Sequence, residues 1–117
     1  MKAIVIDDNA KTLDIVSEIL AQYDFKVTTC NEGQSAFDLI KKEMPSLVLL
    51  SACISGINGH SVLLKILNDE KTKDIPVIML ISSGQEKNIF GNLPSTVFLS
   101  KPFKSETLIT TIKEVLG

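Results

Sequence analysis

The chain has 117 residues, 44% of them hydrophobic and 22% charged, which supplies one compact domain with a single core, is too short for two, and excludes a disordered polypeptide. The formal net charge is -2, with twelve lysines and no arginine. That balance argues against a nucleic-acid partner, because phosphate recognition favours clustered charge and bidentate guanidinium groups.

Residues 2–6 read as a buried strand, ended by Asp7-Asp8, and Asn9 is placed to cap the helix that follows. This opening segment is apolar too briefly for a signal peptide. No later run approaches the roughly 20 apolar residues that cross a bilayer. A cytoplasmic protein without a membrane span is therefore expected. Leu13, Val16, Leu20 and Tyr23 recur at helical spacing and predict an amphipathic helix over 10–22, closed at Asp24. Residues 25–30, with Val27, Thr28 and Thr29, read as a second strand nearer an edge. After the turn Asn31-Glu32-Gly33, Ala36, Phe37, Ile40 and Met44 give the second helix its apolar face, and Pro45 ends it at Met44.

The stretch LVLLSACISGING, residues 47–59, organises the rest. Leu47-Val48-Leu49-Leu50 is an unbroken apolar run, the pattern of a strand buried on both faces of a parallel sheet. It ends at Ser51 and passes into a loop, 52–59, carrying Gly56 and Gly59. A third helix follows, with Val62, Leu63, Ile66 and Leu67 inward, and then a charged surface connection over 68–74. Pro76 opens a fourth apolar strand, 77–81. Residues 85–90 have room for only a short or distorted fourth helix between Gly84, Gly91 and Pro94. Residues 96–99 form a fifth strand with Lys101-Pro102 at its end. The last helix starts near Ser105, with Leu108, Ile109, Ile112, Val115 and Leu116 inward, and stops at Gly117.

Strands alternating with helices across short connections imply right-handed crossovers and an α/β fold built on a parallel five-stranded sheet; in a doubly wound sheet ordered 2-1-3-4-5 the strand ends cluster at one edge. In such sheets chemistry sits at the carboxyl ends of the strands. Those ends carry Asp7 and Asp8, Ser51, Ser82 and Lys101. Two carboxylates facing a lysine would hold a divalent cation or an oxyanion; the plainer alternative is that they cap the following helix and pair with Lys101. Cys30 and Cys53 lie beside strands two places apart, roughly 9–10 Å. That is beyond the reach of a disulfide, and the single histidine, His60, does not complete a metal site with them. His60 reads as a surface or half-buried residue.

The opening strand with Asp7-Asp8, the LVLL strand with its glycine-bearing loop, the IPVIML strand and Lys101-Pro102-Phe103 stand in an order and spacing that resembles the receiver domain of bacterial two-component response regulators. The likeness extends over essentially the whole chain, so that residues 1–117 form a single receiver-like domain. The resemblance implies a flavodoxin-like (βα)5 fold and, in the family, transfer of a phosphoryl group from a phosphohistidine to an aspartate. By the same resemblance the acidic pair falls on Asp7 and Asp8, the invariant lysine on Lys101 and the switch aromatic on Phe98.

The departures from the family pattern bear directly on function. Ser51 stands where the acceptor aspartate belongs. Ile81 occupies the switch Thr/Ser position, with Ser82 one place later. Ser55 replaces a frequent proline, and the segment from 81 to 101 is about two residues shorter than the resemblance leads one to expect. A serine hydroxyl is a weak nucleophile without a base. The family's Mg²⁺ would keep only Asp8, Asp7, water and the Cys53 backbone carbonyl, so any binding is expected to be weak. Two acids facing Lys101 repel less than three, so a pocket that is stable without metal is expected.

The reading is therefore a pseudo-receiver: a signalling module with no catalytic residue and no cofactor beyond weak Mg²⁺. It would act by protein–protein contact through residues 85–99 and the last helix; its oligomeric state is left open. One alternative is a receiver in a phosphorelay whose phosphoryl group is rerouted to Asp8 or Ser51. Another is a small-molecule-binding flavodoxin-like domain. A flavin site, however, would want Gly, Ser and Thr where this chain has Asp7-Asp8-Asn9-Ala10-Lys11.

Overall fold

The computed structural model describes residues 1–54, 57–82 and 95–117. Its elements in chain order are β1 (Lys2–Ile6), α1 (Ala10–Ala21), β2 (Lys26–Cys30), α2 (Ala36–Glu43), β3 (Leu47–Ser51), β4 (Cys53–Ile54), β5 (Ile57–Asn58), α3 (Gly59–Leu67), β6 (Val77–Ile81), β7 (Thr96–Ser100) and α4 (Ser105–Leu116). Five strands make one sheet in the order β2-β1-β3-β6-β7, every neighbouring pair parallel. This is the 2-1-3-4-5 order read from the sequence, with β6 and β7 as the fourth and fifth strands. The short helix expected over 85–90 lies outside the described residues.

The unbroken apolar runs are explained by what covers each face. Ile4, Ile6, Val48, Leu50, Val77, Met79 and Ile81 pack with Ala36 and Ile40 of α2 and with Val62, Leu63 and Ile66 of α3. Their alternate neighbours Ala3, Val5, Leu47, Leu49, Ile78 and Leu80 pack with Val16, Ile19 and Leu20 of α1 and with Leu108 and Ile112 of α4. Successive side chains still point to opposite faces, but both faces are apolar, so no polar alternation survives in β1, β3 or β6. The edge strands β2 and β7 are only partly buried. Among the described residues no helix is long and apolar enough to cross a membrane.

Several side chains depart from the helical faces predicted for them. Tyr23 is exposed because α1 stops at Ala21 and the chain turns through Asp24, which takes a left-handed conformation. Met44 is exposed for a similar reason. It is the C-cap of α2, at φ 45°, so its side chain swings off the stripe of Ala36 and Ile40, and Pro45 follows directly. Leu116, the last residue of α4, is also exposed. The 52–59 loop contains a small antiparallel ladder, β4 against β5. The charged connection after α3 hides one residue completely: Thr72 is buried, and its hydroxyl donates to the Ile66 carbonyl at 2.7 Å. That bond is the shorter of two at a carbonyl near the end of α3, which also accepts the Asp69 N–H at 3.5 Å.

Candidate functional site

The ends of β1, β3, β6 and β7 come together at one edge of the sheet. Ile6 pairs with Leu50, so Asp7 and Ser51, each one residue further on, stand side by side about one strand spacing, ~4.8 Å, apart. Ser51 pairs with Leu80, and Ile81 with Ser100, which brings Lys101 level with Ser82. Backbone bonds continue the ladder beyond these pairs. The Asp7 N–H donates to the Cys30 carbonyl (3.1 Å), Ala52 to Leu80 (2.9 Å) and Lys101 to Ile81 (2.7 Å). The Lys101–Pro102 peptide is cis.

At the centre lies an ion pair. The Lys101 ammonium donates to Asp7 Oδ2 at 2.6 Å, and the Asp7 side chain is 1% exposed against 28% for Lys101. The other carboxylate oxygen, Oδ1, accepts the backbone N–H of Asn9 at 3.0 Å, and Asn9 in turn caps α1 by accepting the N–H of Thr12. Asp7 is thus built into the start of α1 and tied to the far end of the sheet. Asp8 is exposed. Ser51 is buried at 3% exposure as the last residue of β3.

Ile81 and Phe98, which the resemblance assigns to the switch, sit in apolar surroundings. Ile81 is buried in the cluster formed with α2 and α3, and Phe98 is half-buried against the same cluster. Ser82 is exposed and His60 half-buried. Residues 55–56 and 83–94, which include Ser55 and most of the 85–99 segment expected to meet a partner, lie outside the described residues. Cys30 is a free thiol whose Sγ lies 3.1 Å from the Glu32 carbonyl.

Two features escape a sequence reading. Gly59 opens α3 directly against the end of β3: a Cβ there would lie 2.2 Å from the Ser51 carbonyl oxygen. The signal in the sequence was a glycine at a loop–helix junction. The second is a cavity of about 300 Å³ beside the pocket, lined by Thr12, Ile15, Lys101, Pro102 and Phe103. Its sign was Ile15, an apolar residue off the Leu13–Val16–Leu20 stripe, which is 49% exposed.

The pocket's donor set fits Mg²⁺ poorly. Asp7 already serves Lys101 and Asn9 with its two oxygens, and residue 51 offers a neutral hydroxyl in place of a carboxylate. Among the described residues no group of three or more His, Cys, Asp or Glu is placed to hold a metal ion. Hard divalent cations want charged oxygen ligands.

A family model, the response regulator receiver domain, matches residues 3–113. Among curated relatives, the phosphate regulon transcriptional regulatory protein PhoB of Pseudomonas aeruginosa is 29% identical over 115 residues, covering 97% of this chain and 50% of the relative. The chain therefore spans about half the length of PhoB. Protein PilH of the same organism is 27% identical over 118 residues, covering 99% of this chain and 98% of its own. Among solved structures, chemotaxis protein CheY4 of Vibrio cholerae superposes with a TM-score of 0.84 at 24% identity, covering 97% of each chain. The receiver domain of the sensor histidine kinase PA1611 of Pseudomonas aeruginosa, solved with a magnesium ion coordinated in its active site cleft, superposes with a TM-score of 0.88 at 19% identity, covering 99% of this chain and 97% of that one. Five parallel strands ordered 2-1-3-4-5, acids and a lysine gathered at their carboxyl ends and a family match over nearly every residue lead to one conclusion: the chain belongs to the response regulator receiver domain family, whose members are signalling modules rather than enzymes.

Proposed function

We propose that residues 1–117 form a receiver that signals by protein–protein contact and does not take a phosphoryl group through position 51. One observation carries this: the buried residue at the end of β3, beside Asp7, is Ser51. A hydroxyl needs a base to attack phosphorus. The adjacent carboxylate, Asp7, is engaged by the Lys101 ammonium and the Asn9 N–H, so it is poorly suited to act as that base. At the switch position the buried Ile81 brings no hydroxyl to a phosphoryl group, so the link from chemistry to the β7 aromatic Phe98 loses its polar trigger. Output then falls to a constitutive surface, residues 85–99 together with α4, which meets a protein partner. Mg²⁺ binding by Asp8, Asp7 and the Cys53 carbonyl is weak on this reading.

A second reading keeps phosphorylation but moves it. Ser51 is 3% exposed, which shields it from a separate kinase, and a phosphoserine there would face the two acids. Asp8 is exposed and is the more accessible alternative acceptor. A small-molecule site finds no support in a loop that starts with two carboxylates, and flavin absorbance in the purified protein would be the sign of one.

The test is intact-mass spectrometry after incubation with acetyl phosphate and excess Mg²⁺, with Ser51→Asp treated in parallel. The expected result is no phosphoryl adduct on the wild type and one on the variant. A labelled wild type overturns the proposal, and mapping the label to Asp8 or Ser51 identifies the rerouted chemistry.

A further inference from the structure

We propose that Lys101 is the resident cation of this pocket, occupying by its ammonium group the electrostatic place of a divalent metal, so that the domain folds independently of Mg²⁺. The inference rests on the receiver reading of the pocket, but not on the absence of phosphoryl transfer.

A carboxylate 1% exposed is not left uncompensated in a folded protein, because the desolvation of an unpaired ion is too costly. Asp7 is compensated completely from within the chain. Oδ2 receives the Lys101 ammonium at 2.6 Å and Oδ1 the Asn9 N–H at 3.0 Å. A metal bound to Asp7 through Oδ2 would share that oxygen with the ammonium, and two cations would then crowd one buried carboxylate.

The charge count points the same way. Asp7, Asp8 and Lys101 together sum to one negative charge, and Asp8 is exposed. A divalent ion added to that set would turn an excess of one negative charge into one of one positive charge. With a third carboxylate at position 51, two negative charges would remain and a divalent ion would balance them. The hydroxyl of Ser51 therefore removes the charge that a metal would neutralise, and Lys101 suffices for what is left.

The experiment compares thermal unfolding of the wild type and of Lys101→Met in chelator-treated buffer and in millimolar MgCl₂. It is accompanied by a Mn²⁺ titration of the ¹⁵N-labelled wild type, followed by amide line broadening. The wild-type midpoint is expected to be unmoved by Mg²⁺. Lys101→Met should unfold earlier than the wild type without metal and recover part of the loss with Mg²⁺, as the metal enters where the ammonium sat. A wild-type midpoint that climbs with Mg²⁺ overturns the inference; a site saturated about a hundredfold would raise it on the order of 10 °C. So does a folded Lys101→Met that Mg²⁺ fails to rescue. Should Lys101→Met not fold at all, the Mn²⁺ titration decides: selective broadening of Asp7 and Ser51 at substoichiometric metal overturns the inference, and its absence upholds it. A wild type that binds metal yet takes no phosphoryl group defeats this inference alone, whereas phosphoryl labelling without measurable metal affinity defeats only the proposed function.

Discussion

Replacing Gly59 by alanine tests how tightly the third helix is set against the end of the central strand. Gly59 lies outside the left-handed region, so its backbone does not call for glycine. Space does. A Cβ would stand 2.2 Å from the Ser51 carbonyl oxygen, 2.9 Å from Ala52 Cα and 3.0 Å from the Ala52 carbonyl oxygen. All three distances are inside the roughly 3.5 Å at which nonbonded heavy atoms are most stable. None of the three atoms belongs to a side chain that can rotate away. Ser51 pairs with β6, the Ala52 N–H donates to Leu80, and the Gly59 N–H itself donates to the Ala52 carbonyl at 3.0 Å. Relief must come from moving α3, which carries Val62, Leu63 and Ile66 into the core.

Overpacking of this kind costs about 1–3 kcal/mol. The helix-propensity gain of alanine over glycine, at most about 1 kcal/mol, opposes it only weakly at the first residue of a helix. We expect a net loss of roughly 1–2 kcal/mol, a fall in thermal midpoint on the order of 5–10 °C for a domain of this size, measured by calorimetry or by circular dichroism at 222 nm. Gly59→Val should fall further. An alanine variant as stable as the wild type, or more stable, would show that α3 does not press on the Ser51–Ala52 peptide.

Other perturbations follow from the same contacts. Ser51→Asp places a third carboxylate before one lysine and should lower the unfolding midpoint in metal-free buffer; a variant more stable than the wild type there would refute the repulsion argument. Thr72→Val keeps the shape of a fully buried side chain but strips the Ile66 carbonyl of its 2.7 Å donor, for a loss of about 1–3 kcal/mol read from urea midpoints; an unchanged midpoint would mean that the hydroxyl does not serve this helix end. Asp69 is held below its ordinary 3.8 by its hydrogen bond from Lys41, then by the Lys71 backbone N–H. Its folded-state value lies below the unfolded one, so its contribution is present above the unfolded value and disappears as pH falls through the folded one. Lys41→Met should therefore flatten the acid limb of the stability profile, and an unaltered limb would count against the pairing.

The sheet was legible because its pattern has one physical cause. Residues 47–50 and 77–81 lack polar alternation, and only a strand covered on both faces tolerates that; crossovers of fixed hand leave more than one strand order open, and the order 2-1-3-4-5 goes with the flavodoxin-like fold that the resemblance implies. Strand ends were legible as well, since Asp7, Ser51 and Lys101 interrupt apolar runs. What the sequence could not show was allocation among polar groups. Nothing in Asp7-Asp8 says that the first is buried on a lysine 94 positions away while the second faces water. The faces of helices were misjudged at their ends, at Tyr23, Met44 and Leu116, because periodicity continues on paper after the backbone has left the helix. Thr72 was hidden for the opposite reason: one buried hydroxyl among charged neighbours has no periodic signature.

Asp7 also has a structural task that does not depend on the residue at position 51. Its N–H bonds the end of β2, its Oδ1 holds the turn into α1, and its Oδ2 draws in Lys101 just beyond β7. One residue thus joins four segments, and removing Lys101 would leave the buried Asp7 carboxylate unpaired, a change that costs up to about 3–5 kcal/mol where both partners are buried and less where one is partly exposed, as Lys101 is. That is a large part of the stability a small domain possesses. None of these bonds requires a carboxylate at position 51. The acid and the lysine are bound by the demands of folding, whereas a carboxylate on β3 would add repulsion that only a metal relieves. A receiver that keeps Asp7 and Lys101 but carries Ser51 is consistent in those terms: it retains the charges that hold its strand ends together.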